Sequence, residues 1–71
     1  MTYAEALRYF LDAAGMSQAE LARRIGSPKS TITALVKGRA KEPTLGTARR
    51  IAHALGVTLD DFAALVYPEE D

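Results

Sequence analysis

Residues 17–38, SQAELARRIGSPKSTITALVKG, constrain the fold of this chain more than any other stretch. Ser17 followed by Glu20 predicts a helix start with a reciprocal capping box. Met16 before the cap and Leu21 after the first turn are spaced as a hydrophobic staple. Leu21, Ala22 and Ile25 then form one apolar stripe at helical period. Gly26 ends that helix, because glycine takes the left-handed conformation without a steric cost. Ser27 and Pro28 restart one, with Ser27 as cap and Pro28 at the first helical position. The second helix is expected over about 28–37, closed by Gly38. Two short helices joined this tightly must cross at a steep angle, which defines a helix-turn-helix unit.

The same punctuation recurs on both sides. Thr2 and Glu5 predict another capping box, and that first helix ends near Ala14 before Gly15. Residues 38–43, GRAKEP, form a basic loop ended by Pro43. Thr44 caps a fourth helix, with Leu45, Ala48, Ile51, Ala52 and Leu55 on one face and Gly56 as its stop. Thr58 with Asp61 opens a fifth, with Val57 and Phe62 as a second staple and Pro68 as terminator. No segment has strand periodicity, so the expected fold is all-α: one five-helix domain over residues 1–67, then an acidic tail over 68–71. The expected core is Leu7, Phe10, Leu21, Ile25, Ile32, Leu35, Ile51, Leu55, Val57 and Phe62. Leu11 and Val36 are expected to pack between the first and third helices. Gly46 inside the fourth helix costs roughly 1 kcal/mol relative to alanine.

These residues resemble the phage-repressor (Xre-like, lambda-repressor-like) helix-turn-helix family. The likeness is carried by Ser17-Gln18, Leu21-Ala22, Gly26, Ser30-Thr31-Ile32 and Gly38, and continues through Ala52, Ala54-Leu55-Gly56-Val57 and Asp60-Asp61-Phe62. It runs from about Leu7 to Phe62. The resemblance implies a compact five-helix DNA-binding domain in which the third helix enters the major groove. It also implies a phosphate contact at Gln18, which agrees with the free N–H groups and dipole of a helix start. Leu11, Val36 and Pro28 depart from the family pattern, and Pro28 removes one possible hydrogen-bonding contact.

Charge is segregated along the chain although the total is zero. Residues 17–50 hold eight basic residues against two acidic ones, a net of +6, and the remainder holds one against seven, a net of −6. A basic segment coincident with the helix-turn-helix favours a phosphate-facing side. On a helical wheel, Leu35 and Val36 fall within about 60° of Ile32, so that side faces the core. Ser30, Ala34 and Lys37 fall opposite, and Lys29 and Thr33 on one flank. Lys29, Ser30, Thr33 and Ala34 are therefore the expected base-contacting residues: Lys29 for guanine O6 and N7, Ala34 for a thymine methyl. Gln18, Lys37, Arg39 and Lys41 are the expected phosphate contacts, while Arg23 and Arg24 are equally well read as plain surface.

Enzyme function is not expected. His53 is the single histidine, cysteine is absent, and Asp60-Asp61 read as cap and dipole carboxylates. No cofactor, metal or small-molecule ligand is implied, and no apolar run approaches the length of a membrane span. A cysteine-free chain suits a reducing cytoplasm, and the expected location is cytoplasmic and nucleoid-associated. The favoured reading is a sequence-specific transcriptional regulator, a repressor, acting as a homodimer on a near-palindromic operator. Leu65, Val66 and Tyr67 are its expected dimer interface, the alternative being that they fold back onto the first helix near Tyr3 and Leu7. The competing reading is a protein-interaction module on the same fold, an antitoxin or repressor antagonist. Such a module should expose apolar residues on the third helix, whereas this one shows Lys29, Ser30, Thr33 and Lys37.

Overall fold

The computed structural model describes residues 1–67. Five helices follow in order: α1 (Tyr3–Ala14), α2 (Gln18–Ile25), α3 (Lys29–Val36), α4 (Leu45–Leu55) and α5 (Leu59–Val66). The predicted acidic tail and the stop at Pro68 lie outside the described residues. α2 packs against both α3 and α4, and α1 against both α3 and α5. The fold is the all-α, five-helix arrangement that the sequence predicts.

Local signals set most helix boundaries. Thr2 and Glu5 form the predicted reciprocal box, with Glu5 N–H donating to Thr2 Oγ1 at 3.2 Å and Thr2 N–H to Glu5 Oε1 at 2.8 Å. These bonds to Thr2 hold the Glu5 carboxyl below its usual range. Thr58 and Asp61 make the same pair of bonds at the head of α5. The Ser17 box is only half formed. Ser17 Oγ accepts from Glu20 N–H, but the Glu20 carboxylate turns to Arg24 at 2.7 Å instead. An i,i+4 arginine on the same helix competes directly with the cap N–H for that carboxylate. α3 also begins one residue later than predicted. Pro28, not Ser27, is its N-cap, and no side chain satisfies the first N–H groups. Pro28 has ψ 147°, which is extended, so the chain enters the helix only at Lys29.

The core matches the apolar stripes. Leu7, Leu21, Ile32 and Ile51 are fully buried, each worth about 1.5–3 kcal/mol of transfer free energy. Leu11 and Val36 are both buried in the same cluster, as expected. Phe10 and Val57, expected in the core, are only half-buried at its edge. Tyr3, Ala4, Ala6, Ala22 and Ala52 are buried in addition. Phe62 stacks on Tyr3, with centroids 5.0 Å apart, and meets Phe10 at 4.7 Å, which ties α5 to α1. Leu45 corrects the expected α4 face: it is 70% exposed. It occupies the first turn, at the rim of a groove that it lines with Leu59, Phe62 and Ala63 of α5.

Candidate nucleic-acid interface

The two helices of the motif are fixed at the turn and at the C-terminus of α3. Gly26 adopts φ 69°, so its N–H and that of Ser27 turn back to Arg23 and Ala22 carbonyls. Gly38 at φ 77° repeats this after α3, with Arg39 N–H returning to the Ala34 carbonyl at 2.9 Å. Arg8 of α1 adds a bond that sequence reasoning missed. Its Nη1 donates to the Val36 carbonyl at 2.7 Å, binding a cation to the negative end of α3. The orientation of α3 is thus held from both ends.

Its outer face is polar. Lys29, Ser30 and Thr31 are exposed in the first turn, and Lys37 at the last. Thr33 is half-buried because its hydroxyl donates to Gln18 Oε1 at 3.2 Å. That bond joins two predicted DNA contacts. It orients the Gln18 amide and leaves its NH2 group free to donate, beside the exposed N–H groups at the head of α2. Thr33 is therefore occupied by Gln18 as much as it is presented outward.

Ala34, placed opposite Ile32 by the helical wheel, is half-buried. With Ser30 and Thr31 it forms one wall of an open cleft of about 510 Å³, and Pro43, Thr44 and Thr47 form the other. Thr47 had no signal of its own in the sequence beyond its type, Thr31 registered only as part of the Ser30-Thr31-Ile32 motif, and Thr44 only as a helix cap. Lys37, Arg39 and Lys41 are exposed on the turn and loop after α3, with Lys41 lying against the start of α1. Among the described residues the ion pair found is Arg24–Glu20, so Arg24 is the predicted surface cation that is already neutralised. His53 is exposed, as expected.

On the far side, Leu65 and Val66 are half-buried against their own core, while Tyr67 is 61% exposed. Tyr67 and Leu45 flank an apolar groove of about 350 Å³ floored by Leu59, Phe62 and Ala63. Among the described residues no group of three or more His, Cys, Asp or Glu side chains is placed to hold a metal ion. No helix is long and apolar enough to cross a membrane.

Two short helices joined across the Gly26 turn, the second with a polar outer face, define a helix-turn-helix domain. The helix-turn-helix family model matches residues 7–62, and this chain belongs to that Xre/lambda-repressor-like family. An uncharacterized HTH-type transcriptional regulator of Methanothermobacter thermautotrophicus is 55% identical over 42 residues, which cover 59% of this chain and 59% of that protein. The chain thus spans about three-fifths of that relative's length. Family and relative together support a DNA-binding regulator. The fold also resembles solved structures of an enzyme. FeII HppE superposes with a TM-score of 0.77 at 33% identity, covering 86% of this chain and 32% of that one. The hydroxypropylphosphonic acid epoxidase from S. wedmorenis gives 0.75, covering 84% and 31%. The likeness is therefore to a part of those proteins, about a third of each chain.

Proposed function

We propose that this chain reads duplex DNA with α3 in the major groove, as a homodimer on a near-palindromic operator, and represses transcription by occupying it. One observation carries the reading: Lys29 and Ser30 stand exposed at the start of α3, next to the Thr33-held amide of Gln18. In this reading Gln18, with Lys37, Arg39 and Lys41, grips phosphates and sets the register. Lys29, Ser30, Thr33 and Ala34 face base edges, with Ala34 and the Thr33 methyl supplying apolar contact. The site of action is cytoplasmic DNA. The dimer would form through Leu65, Val66 and Tyr67, with Tyr67 offering the largest free surface. A protein-interaction role would call for an apolar α3 face, and Lys29, Ser30, Thr31 and Lys37 make it polar.

Binding-site selection followed by salt titration tests this. If roughly 4 to 8 phosphates are neutralised per dimer, log K should fall with log salt at a slope of about −4 to −7. Lys29→Ala and Ser30→Ala should relax the selected sequence, at about 1–3 kcal/mol each on the preferred site. Gln18→Ala and Arg39→Ala should weaken all sequences alike. Salt-independent binding, or an unchanged selected sequence in Lys29→Ala, would overturn the assignment.

A further inference from the structure

The loop after α3 borders two clefts that share a wall. One is the apolar groove of about 350 Å³ between α4 and α5. The other, of about 360 Å³, opens towards the start of α1 and is lined by Thr2, Gly38 and Lys41. Tyr3, Glu42 and Val66 belong to both, so the clefts meet at these three side chains. The sequence implied no small-molecule site here, because its walls come from α1, the loop, α4 and α5, which stand far apart in the chain. Both volumes fall at the lower end of the range for small-molecule sites, about 300–1,000 Å³.

Two polar groups at the junction lack partners. The Tyr3 side chain is only 7% exposed, and its buried hydroxyl makes no hydrogen bond. Leaving such a group unpaired is costly, so a ligand that reaches it gains more than one that meets water-bound groups. Glu42 is exposed and, among the described residues, forms no ion pair. Its carboxylate lies near enough to the Tyr3 hydroxyl to help raise the hydroxyl's pKa, which keeps that group neutral and able to accept. A carboxylate and a phenolic oxygen, both without a donor, thus stand at the head of an apolar groove. That is the usual composition of a ligand site: apolar walls with a few convergent polar groups. A second copy of the chain does not supply the missing donor. The surface assigned to the dimer is the end of α5 with Tyr67, and α5 carries Asp60 and Asp61 but no basic residue.

We propose that this junction binds small organic cations: an aromatic or aliphatic body lies in the groove against Leu59 and Ala63, and a primary ammonium head donates to Tyr3 Oη and to the Glu42 carboxylate. An ammonium has three donors, enough for both oxygens with one left for solvent. Glu42, exposed and unpaired, is free to turn and admit the head to the hydroxyl. A neutral alcohol offers a single donor and no charge, and an anionic ligand is repelled by Glu42. The site is separate from the DNA-reading face, and its existence does not rest on operator binding.

The test titrates the full chain with three probes of similar shape, phenethylammonium, phenethyl alcohol and hydrocinnamate, and follows backbone amide NMR shifts. The ammonium should shift the amides of Tyr3, Glu42 and Ala63 at millimolar concentration. It should bind about tenfold more tightly than the alcohol, and the carboxylate should not bind. Glu42→Gln should bring the ammonium down to the affinity of the alcohol while leaving the alcohol unchanged. Tyr3→Phe, which keeps the ring, should weaken the ammonium about fivefold. Ala63→Leu narrows the groove and should weaken both ammonium and alcohol. The same spectra show that each variant is folded. Equal wild-type affinity for ammonium and alcohol, shifts confined to other residues, or no wild-type shift at millimolar concentration overturns the inference. So does an unchanged ammonium affinity in any of the three variants. Operator binding stands or falls on its own measurements in every case.

Discussion

Tyr3 shows how a single residue can serve the core and strain it at once. Its ring is 7% exposed and stacks on Phe62, yet its hydroxyl is buried with no hydrogen-bond partner. Burial, with the nearby Glu42 carboxylate, pushes its pKa up to about 12. Because the folded value is raised, the unfolded chain ionises first. This contribution to stability is therefore complete below about pH 10 and is lost as pH rises from 10 to about 12. Tyr3→Phe keeps the stacking and removes the unsatisfied group. It should stabilise the fold by about 1 kcal/mol at neutral pH and flatten the alkaline loss, read by denaturant titration at pH 8 and 11. Glu5 behaves in the opposite sense. The bonds from Thr2 favour its charged form, so its contribution is present at neutral pH and disappears as pH falls through its lowered pKa. The Glu5 box was legible in the sequence because cap and partner are adjacent. The buried hydroxyl of Tyr3 was not, since it depends on where Phe62, 59 positions further along the chain, comes to rest.

Among the elements, three helices end on glycine caps at φ 64–74°, and α3 ends on Lys37 followed by Gly38 at φ 77°; all four stops were readable from glycine placement against apolar period. The start of α3 was misplaced because Ser-Pro carries two compatible signals, a serine cap with proline at the first helical position or a proline cap. The chain takes the second. Leu45 was misassigned because wheel arithmetic gives direction but not whether a neighbouring element covers the residue at that height. The Gln18–Thr33 bond crosses from α2 to α3, so neither residue's local spacing announces it. Arg8 belongs to the same category. Its value lies in fixing the C-terminus of α3 from α1, across 28 positions of sequence. Arg8→Met retains much of the aliphatic stem and removes the bond to the Val36 carbonyl. A charge-assisted bond at a part-buried helix end suggests a loss of about 1 kcal/mol in stability. Gly26→Ala forces a Cβ into the left-handed region and should cost about 1–2 kcal/mol. Paired measurements of melting and DNA affinity separate the two roles. At temperatures where both variants are folded, Arg8→Met should bind DNA more weakly if it orients α3, and full affinity there would limit it to stability.

At the scale of the whole molecule, net neutrality conceals a division of labour. The +6 segment comprises α2, α3, the loop after it and most of α4, while the −6 remainder comprises α1, the end of α4, α5 and the chain's last residues. Such a distribution orients the molecule on a polyanion before any specific contact forms. It also bears on association. Half-burial of Leu65 and Val66 against their own core leaves Tyr67, Leu45 and the groove between them as the free apolar surface near α5. That area is well below what a stable protein interface buries, about 800 Å² per partner. A dimer built there should therefore be weak in solution and complete itself on DNA, where two half-sites hold the copies close and raise their effective concentration. Sedimentation velocity on the free protein should give a monomer at micromolar concentrations. The same measurement with a palindromic site should give two copies per duplex. Tyr67→Ser should leave the free protein unchanged and convert the profile on DNA from cooperative to independent filling of the half-sites. A one-to-one complex at concentrations well above Kd, or cooperative filling that survives Tyr67→Ser, would remove α5 from the interface and send the search for a symmetry contact elsewhere on the molecule.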